Sequence, residues 1–229
     1  MTALAPLIAI IGADGSGKST LAKDLAAELD RERPTEYVYL GLGSGAIGQK
    51  IAALPIVGPV VAAQIEKKAG RARDPRQRSP GLFTALAVYW FSTRRKKRFD
   101  AMMALRRRGV LVITDRYPQV ELAGLYDGPG LSMAQAEGAF VHRLAAREAR
   151  LYAEMVQQVP TLVLRLNIDA DTALARKPEH GRALVEEKVA ITPRLSFGGA
   201  PIAEIDATMN YSEERALARW LIDQAVSAA

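Results

Sequence analysis

Five short apolar runs punctuate the chain: "PLIAII" (6–11), "EYVYL" (36–40), "VLVIT" (110–114), "TLVLRL" (161–166) and "PIAEID" (201–206). Stretches with helical periodicity separate them. In "KSTLAKDLAAELD" (18–30) leucines recur at 21, 25 and 29, on one stripe of a helix. "LFTALAVYWFSTRRKKRFDAMMALRRR" (82–108) predicts a long central helix that stops at Gly109. "LSMAQAEGAFVHRLAAREARLYAEMVQQ" (131–158) predicts another, opened by Ser132 as N-cap. "SEERALARWLIDQAV" (212–226) predicts the last, with Ser212 capping and two glutamates favourable in its first turn. Buried-looking strands alternating with helices predict an α/β fold, a doubly wound parallel sheet of five strands covered by helices. Without an internal repeat or a low-complexity linker, residues 1–229 read as a single domain.

Composition narrows this picture in three respects. The apolar stretch Leu4 to Ala13 is too short to span a bilayer and lacks the basic leader of a signal peptide. The chain has no cysteine, so disulfides, thiolate metal sites and cysteine catalysis are excluded. Together these predict a cytoplasmic chain with no membrane span. The net charge of +6 is concentrated in "KKAGRARDPRQR" (67–78), "RRKKR" (94–98) and "RRR" (106–108). Such clusters fit a nucleic-acid face, a solvated helix surface or a phosphate pocket. No interleaved aromatics or recognisable module favour nucleic acid, so it is not an expected partner.

The densest chemistry lies in "GADGSGKST". Gly12-x-x-x-x-Gly17-Lys18-Ser19 has the phosphate-loop spacing, and it stands between a predicted strand and a predicted helix. Glycines let consecutive N–H groups turn inward onto phosphate oxygens, and the helix adds its positive end. The expected triphosphate-binding residues are Gly12, Asp14, Gly15, Ser16, Gly17, Lys18, Ser19 and Thr20. Lys18 would reach the β- and γ-phosphates of ATP, and Ser19 would give its hydroxyl to Mg²⁺. A glycine-rich turn with a chance lysine is the competing reading.

Asp115 closes the strand run of "VLVITDRYP", where it would hold Mg²⁺ through water. Arg116 follows it, at a place where a motor or transporter ATPase carries a glutamate. Arg116 could instead hold a second anionic group opposite the γ-phosphate; a structural ion pair at the strand end is the alternative. "LSFGG" (195–199) lacks the glutamine of a transporter signature, and no Asn-Lys-x-Asp strand end provides for guanine. Phe91 and Arg95, four apart on the central helix, share a face. They could stack on a base and grip its phosphate, or be a core aromatic beside a solvated charge. Neither His142 nor His180 is given a catalytic role.

"GADGSGKST", "FSTRR", "RRRGVLVITDRY" and "EIDA" before a terminal helix resemble thymidylate kinase in order and spacing. The resemblance implies a P-loop kinase fold with a lid at about 176–194. It also implies that Asp14 faces the acceptor's sugar, Phe91 stacks on its base, and Arg95 and Arg116 bind its phosphate. Arg176 would lie over the donor adenine, with the backbone near Ala207 on the adenine's other side. Lys18, Asp115 and Arg116 would then be the catalytic residues. Several positions depart from the family's pattern. Ile11 replaces a usual glutamate, and Gly43 stands where an acceptor-binding arginine is expected. Residues 54–80 are longer and more basic, and 175–190 replace the usual lid sequence. "RKPE" resembles divergent thymidylate kinase-like proteins of bacterial surface-polysaccharide clusters.

Three functions stay open at this point. The first is a kinase for a nucleoside monophosphate, dTMP foremost. The second is a kinase of the same fold for a sugar, sugar phosphate or other cell-envelope intermediate. The third is a nucleotide-dependent binding module that hydrolyses ATP slowly. The expected partner is a small phosphate acceptor, and the reading leaves a homodimer open.

Overall fold

The computed structural model describes residues 4–42, 82–131, 136 and 138–228. Its strands are β1 (Leu7–Gly12), β2 (Thr35–Tyr39), β3 (Leu111–Asp115), β4 (Leu162–Asn167) and β5 (Ile202–Asp206). Its helices are α1 (Lys18–Leu29), α2 (Leu82–Arg107), α3 (Ala139–Val156), α4 (Ala170–Arg176), α5 (Arg182–Ile191) and α6 (Tyr211–Ser227). A short 3₁₀ turn, Thr192–Arg194, follows α5. All pairings are parallel, in the order β2-β3-β1-β4-β5, so the expected five-stranded parallel sheet is present. Among the described residues no helix is long and apolar enough to cross a membrane.

Successive strand residues face opposite sides of a sheet, and β1 shows both sides buried. Ile8 and Ile10 pack with Leu21, Leu25 and Leu29 of α1 and with Ile222 of α6. Leu7, Ala9 and Ile11 pack on the other face with Phe99 and Met102 of α2 and with Tyr152 and Met155 of α3. A strand covered on both faces must be apolar throughout, which is why β1 shows no polar alternation. The strands nevertheless end on polar or small residues: Gly12, Asp115, Asn167 and Asp206. Register places Ile10 beside Asp115 and Gly12 beside Leu166. The loops leaving β1, β3 and β4 therefore converge at one edge, the carboxyl end where open α/β sheets bind ligands.

Two expected caps differ. The last helix is capped by Asn210, not Ser212. It begins at Tyr211, so the Asn210 Oδ1 is the acceptor in reach of the Ser212 N–H at 2.9 Å. The Ser212 hydroxyl itself donates to that oxygen. Helix α3 starts at Ala139 after Gly138, with no side-chain cap, and Ser132 lies outside the described residues. Gly43 and the basic segment 67–78 also lie outside them.

Candidate functional site

The loop between β1 and α1 curls at the end of the sheet. Gly15 has φ +92°, and a Cβ there would come within 2.7 Å of the Ala173 carbonyl oxygen. Only glycine fits both the conformation and the close approach of α4. Lys18 turns back into the loop, donating to the Ala13 carbonyl at 3.1 Å, with the Asp14 carboxylate at 3.6 Å. Burial pushes the Lys18 ammonium down to about 8, with Arg116 adding to the effect. Ser16 is buried with no partner for its hydroxyl among the described residues, while Gly17, Ser19 and Thr20 are exposed.

The Ser19 hydroxyl donates to Asp115 Oδ2 across the strand ends. Asp115 is fully buried, yet among the described residues its Oδ1 has no hydrogen-bond partner. A hydroxyl beside a carboxylate with one oxygen unengaged is a set of hard oxygen donors, and it fits Mg²⁺.

Arg116 has φ 69°, a conformation that turns it away from the strand direction. Its guanidinium bridges two carboxylates, Asp14 at 3.1 Å and Asp127 at 3.3 Å. Arg95 reaches the same Asp127 from α2. Completely buried, it donates to the Leu40 carbonyl at 2.5 Å, the Asp127 carbonyl and the Tyr152 hydroxyl, and it pairs with the Asp127 carboxylate. Burial alone would raise the Asp127 pKa, but Arg95 and Arg116 outweigh it and hold the carboxyl below its ordinary value. The same contest keeps Asp14 far below the carboxylate range, through Lys18, Lys188 and Arg116.

The loop bearing Asp127 is held from inside. Gln119 donates to the carbonyls of Leu122 and Leu125, and the buried Glu148 accepts from the N–H groups of Gly130 and Leu131. Tyr126 fastens it to the phosphate loop, accepting from the Gly12 N–H at 2.6 Å and donating to the Gly12 carbonyl at 2.7 Å. Helix α5, inside the expected lid, closes from the other side. Lys188 pairs with Asp14, and His180 Nδ1 stands 3.9 Å from the same carboxylate.

Of the residues expected from the sequence, Asp14, Lys18, Arg95 and Arg116 are joined in one ion-pair network through Asp127, and Ser19 and Asp115 form a separate hydrogen-bonded pair. Arg176 is exposed and donates to the Gly15 carbonyl at 3.3 Å. Ala207 is buried, its N–H donating to Asn167. It adjoins a cleft of about 520 Å³ lined by Ala13, Asn167, Asp169, Val189, Asp206 and Thr208. Phe91 is half-buried, its ring edge-on to Trp90 at 5.0 Å. Asp127, Tyr126 and Lys188 were not foreseen. Asp127 sits between glycine-rich turns and Lys188 in a mixed-charge helix, patterns that read locally as a turn and a solvated face.

No protein-family model matches the chain. It is 44% identical, over 201 residues, to "Uncharacterized ATP-binding protein YghS" of Escherichia coli (strain K12); the match covers 87% of this chain and 85% of that protein. The chain belongs to this family. "Uncharacterized ATP-binding protein YghR" of the same strain is 42% identical over 208 residues, covering 90% of this chain and 82% of that protein. The YghS and YghR family thus matches the chain over most of its length.

Proposed function

We propose that the protein binds ATP and transfers its γ-phosphoryl group to a small acceptor. The relatives' names as ATP-binding proteins support the nucleotide. The observation that carries the transfer reading is Arg116: the side chain next to the Mg²⁺-competent Asp115 is a guanidinium bridging Asp14 and Asp127. A carboxylate there would activate water, whereas a cation gathers a second anionic substrate. In this reading the cleft beside Ala207 takes the nucleoside, its volume being within the usual ligand range of about 300–1,000 Å³. Gly12 to Thr20 wrap the phosphates. Lys18 and Arg116 offset the charge that develops as the phosphoryl group moves. Ser19 and Asp115 would hold Mg²⁺, which neutralises phosphate charge when bound. Residues 176–194 act as a lid on the single domain, with Arg176 and Lys188 on its loop side, excluding competing water.

The first acceptor class is a nucleoside monophosphate such as dTMP. A sugar phosphate or related cell-envelope intermediate is the second. The Arg95 guanidinium, its charge already met by Asp127, would have to leave that pair to bind the phosphate of either class, so it does not separate the two. Labelled ATP with a panel of nucleoside monophosphates, sugars and sugar phosphates tests the proposal. A phosphorylated product should form with the wild type and be lost in Lys18→Ala. ATP hydrolysis that no acceptor accelerates would establish the nucleotide-dependent binding module instead.

A further inference from the structure

Three neighbouring cations in the middle of α2 each have a partner. Arg94 lies over the Trp90 ring at 4.8 Å. Arg95 pairs with Asp127, and Lys96 with Asp100 and Glu154. Arg98, three residues past Arg95 and so on the same helix face, is half-buried. Among the described residues no carboxylate pairs with it. Its one hydrogen bond runs from Nη2 to the Gly41 carbonyl, and its Nε is buried without an acceptor. The guanidinium stands over the Tyr39 ring at 5.5 Å. Burial, followed by the like charge of Arg95, holds its pKa below the ordinary arginine value.

Its location is as telling as its unmet charge. Arg95 and Arg98 donate to consecutive carbonyls, Leu40 and Gly41, just past the carboxyl end of β2. Gly41 lies so close to Arg116 that a Cβ on it would come within 2.7 Å of the Arg116 Cδ. Arg98 and Arg116 thus flank one short backbone segment beside β3. Arg116 divides its charge between two carboxylates and Arg95 gives its own to Asp127, whereas Arg98 has no carboxylate beside it among the described residues. Neighbouring guanidiniums with free donors match the fork of a phosphate monoester better than a lone lysine would.

We propose that Arg98 binds the phosphate of a phosphorylated acceptor, and so selects acceptors that carry a phosphate monoester over those that offer only hydroxyls. This inference rests on the phosphotransferase reading above. It places the anion contact on one residue of the basic run 94–98.

The test uses inorganic phosphate as probe, titrated calorimetrically into the full chain saturated with Mg²⁺ and adenylyl imidodiphosphate, so that the phosphate loop is already filled. Wild type should bind phosphate, and Arg98→Gln should bind it roughly tenfold or more weakly, the loss expected for one charge-assisted contact. Arg98→Lys should recover part of the affinity, since it restores charge without the fork. Analogue affinity should not change in either variant. Phosphate binding that is absent in wild type, or unchanged within about twofold in Arg98→Gln, overturns the proposal. A purely bracing role at Gly41 would lower the unfolding temperature and leave phosphate affinity untouched. If Arg98→Gln does not fold, Arg98→Lys binding phosphate as tightly as wild type overturns it. Failure of the analogue itself to bind is read separately, and it removes the phosphotransferase reading together with this inference.

Discussion

Asp127→Asn isolates the charge that holds two arginines in place. The Asp127 carboxylate is buried, accepts from both Arg95 and Arg116, and is, among the described residues, the counter-charge of a completely buried Arg95 guanidinium. Asparagine preserves the volume and one acceptor oxygen but leaves that guanidinium without an anion. Removing one partner of a buried ion pair costs about 3–5 kcal/mol. For a chain of this size about 1 kcal/mol moves the unfolding temperature by roughly 2–4 °C, so the expected fall is roughly 6–20 °C. Differential scanning calorimetry on the ligand-free protein measures it. Since the stranded Arg95 charge causes the loss, adding Arg95→Met should recover part of it. An unfolding temperature within about 2 °C of wild type refutes the reasoning, because the pair would then contribute no more than a surface contact. A double variant no more stable than the single one would show that the loss does not come from Arg95.

Two further outcomes follow from the phosphate loop. Lys18 titrates near 8 in the folded protein, below its ordinary 10.5. Its contribution to stability is therefore complete above about pH 10.5 and is lost as the pH falls through about 8, where the buried ammonium is charged. Phosphates beside it would restore its proton, so binding adenylyl imidodiphosphate at about pH 8.5 should take up most of one proton. Calorimetry in buffers of different ionisation enthalpy measures the uptake, and none at that pH would show that Lys18 does not face the phosphates. Gly15→Ala would place a methyl against the Ala173 carbonyl in a left-handed conformation, costing about 1–3 kcal/mol of strain and weakening nucleotide binding. Unchanged stability and unchanged affinity for the analogue would contradict the described loop.

The phosphate loop was legible in the sequence because its parts are contiguous: an apolar strand, glycines where the backbone must turn, then a lysine and a hydroxyl opening a helix. Sheet class was legible for a related reason, since strands buried on both faces cannot hide their composition. Strand ends were less so. β1, β3 and β4 each run one residue past their apolar run, to Gly12, Asp115 and Asn167, because the hydrogen-bond ladder continues where side-chain burial no longer requires an apolar residue. The last helix shows the same limit, with Asn210 taking the capping role expected of Ser212 once the start of the helix is fixed by its packing. The charge network around the loop was decided by tertiary structure alone. Lys188 meets Asp14 across 174 positions, Arg95 meets Asp127 across 32, and Arg98 meets Gly41 across 57. In the sequence each is one more charge in a basic or mixed run, where a solvated side chain and a buried one have the same local pattern. Only packing α2, α5 and the Asp127 loop against the carboxyl end of the sheet removes water from these groups. That desolvation decides which charges must find partners and, among the described residues, leaves Arg98 without a carboxylate.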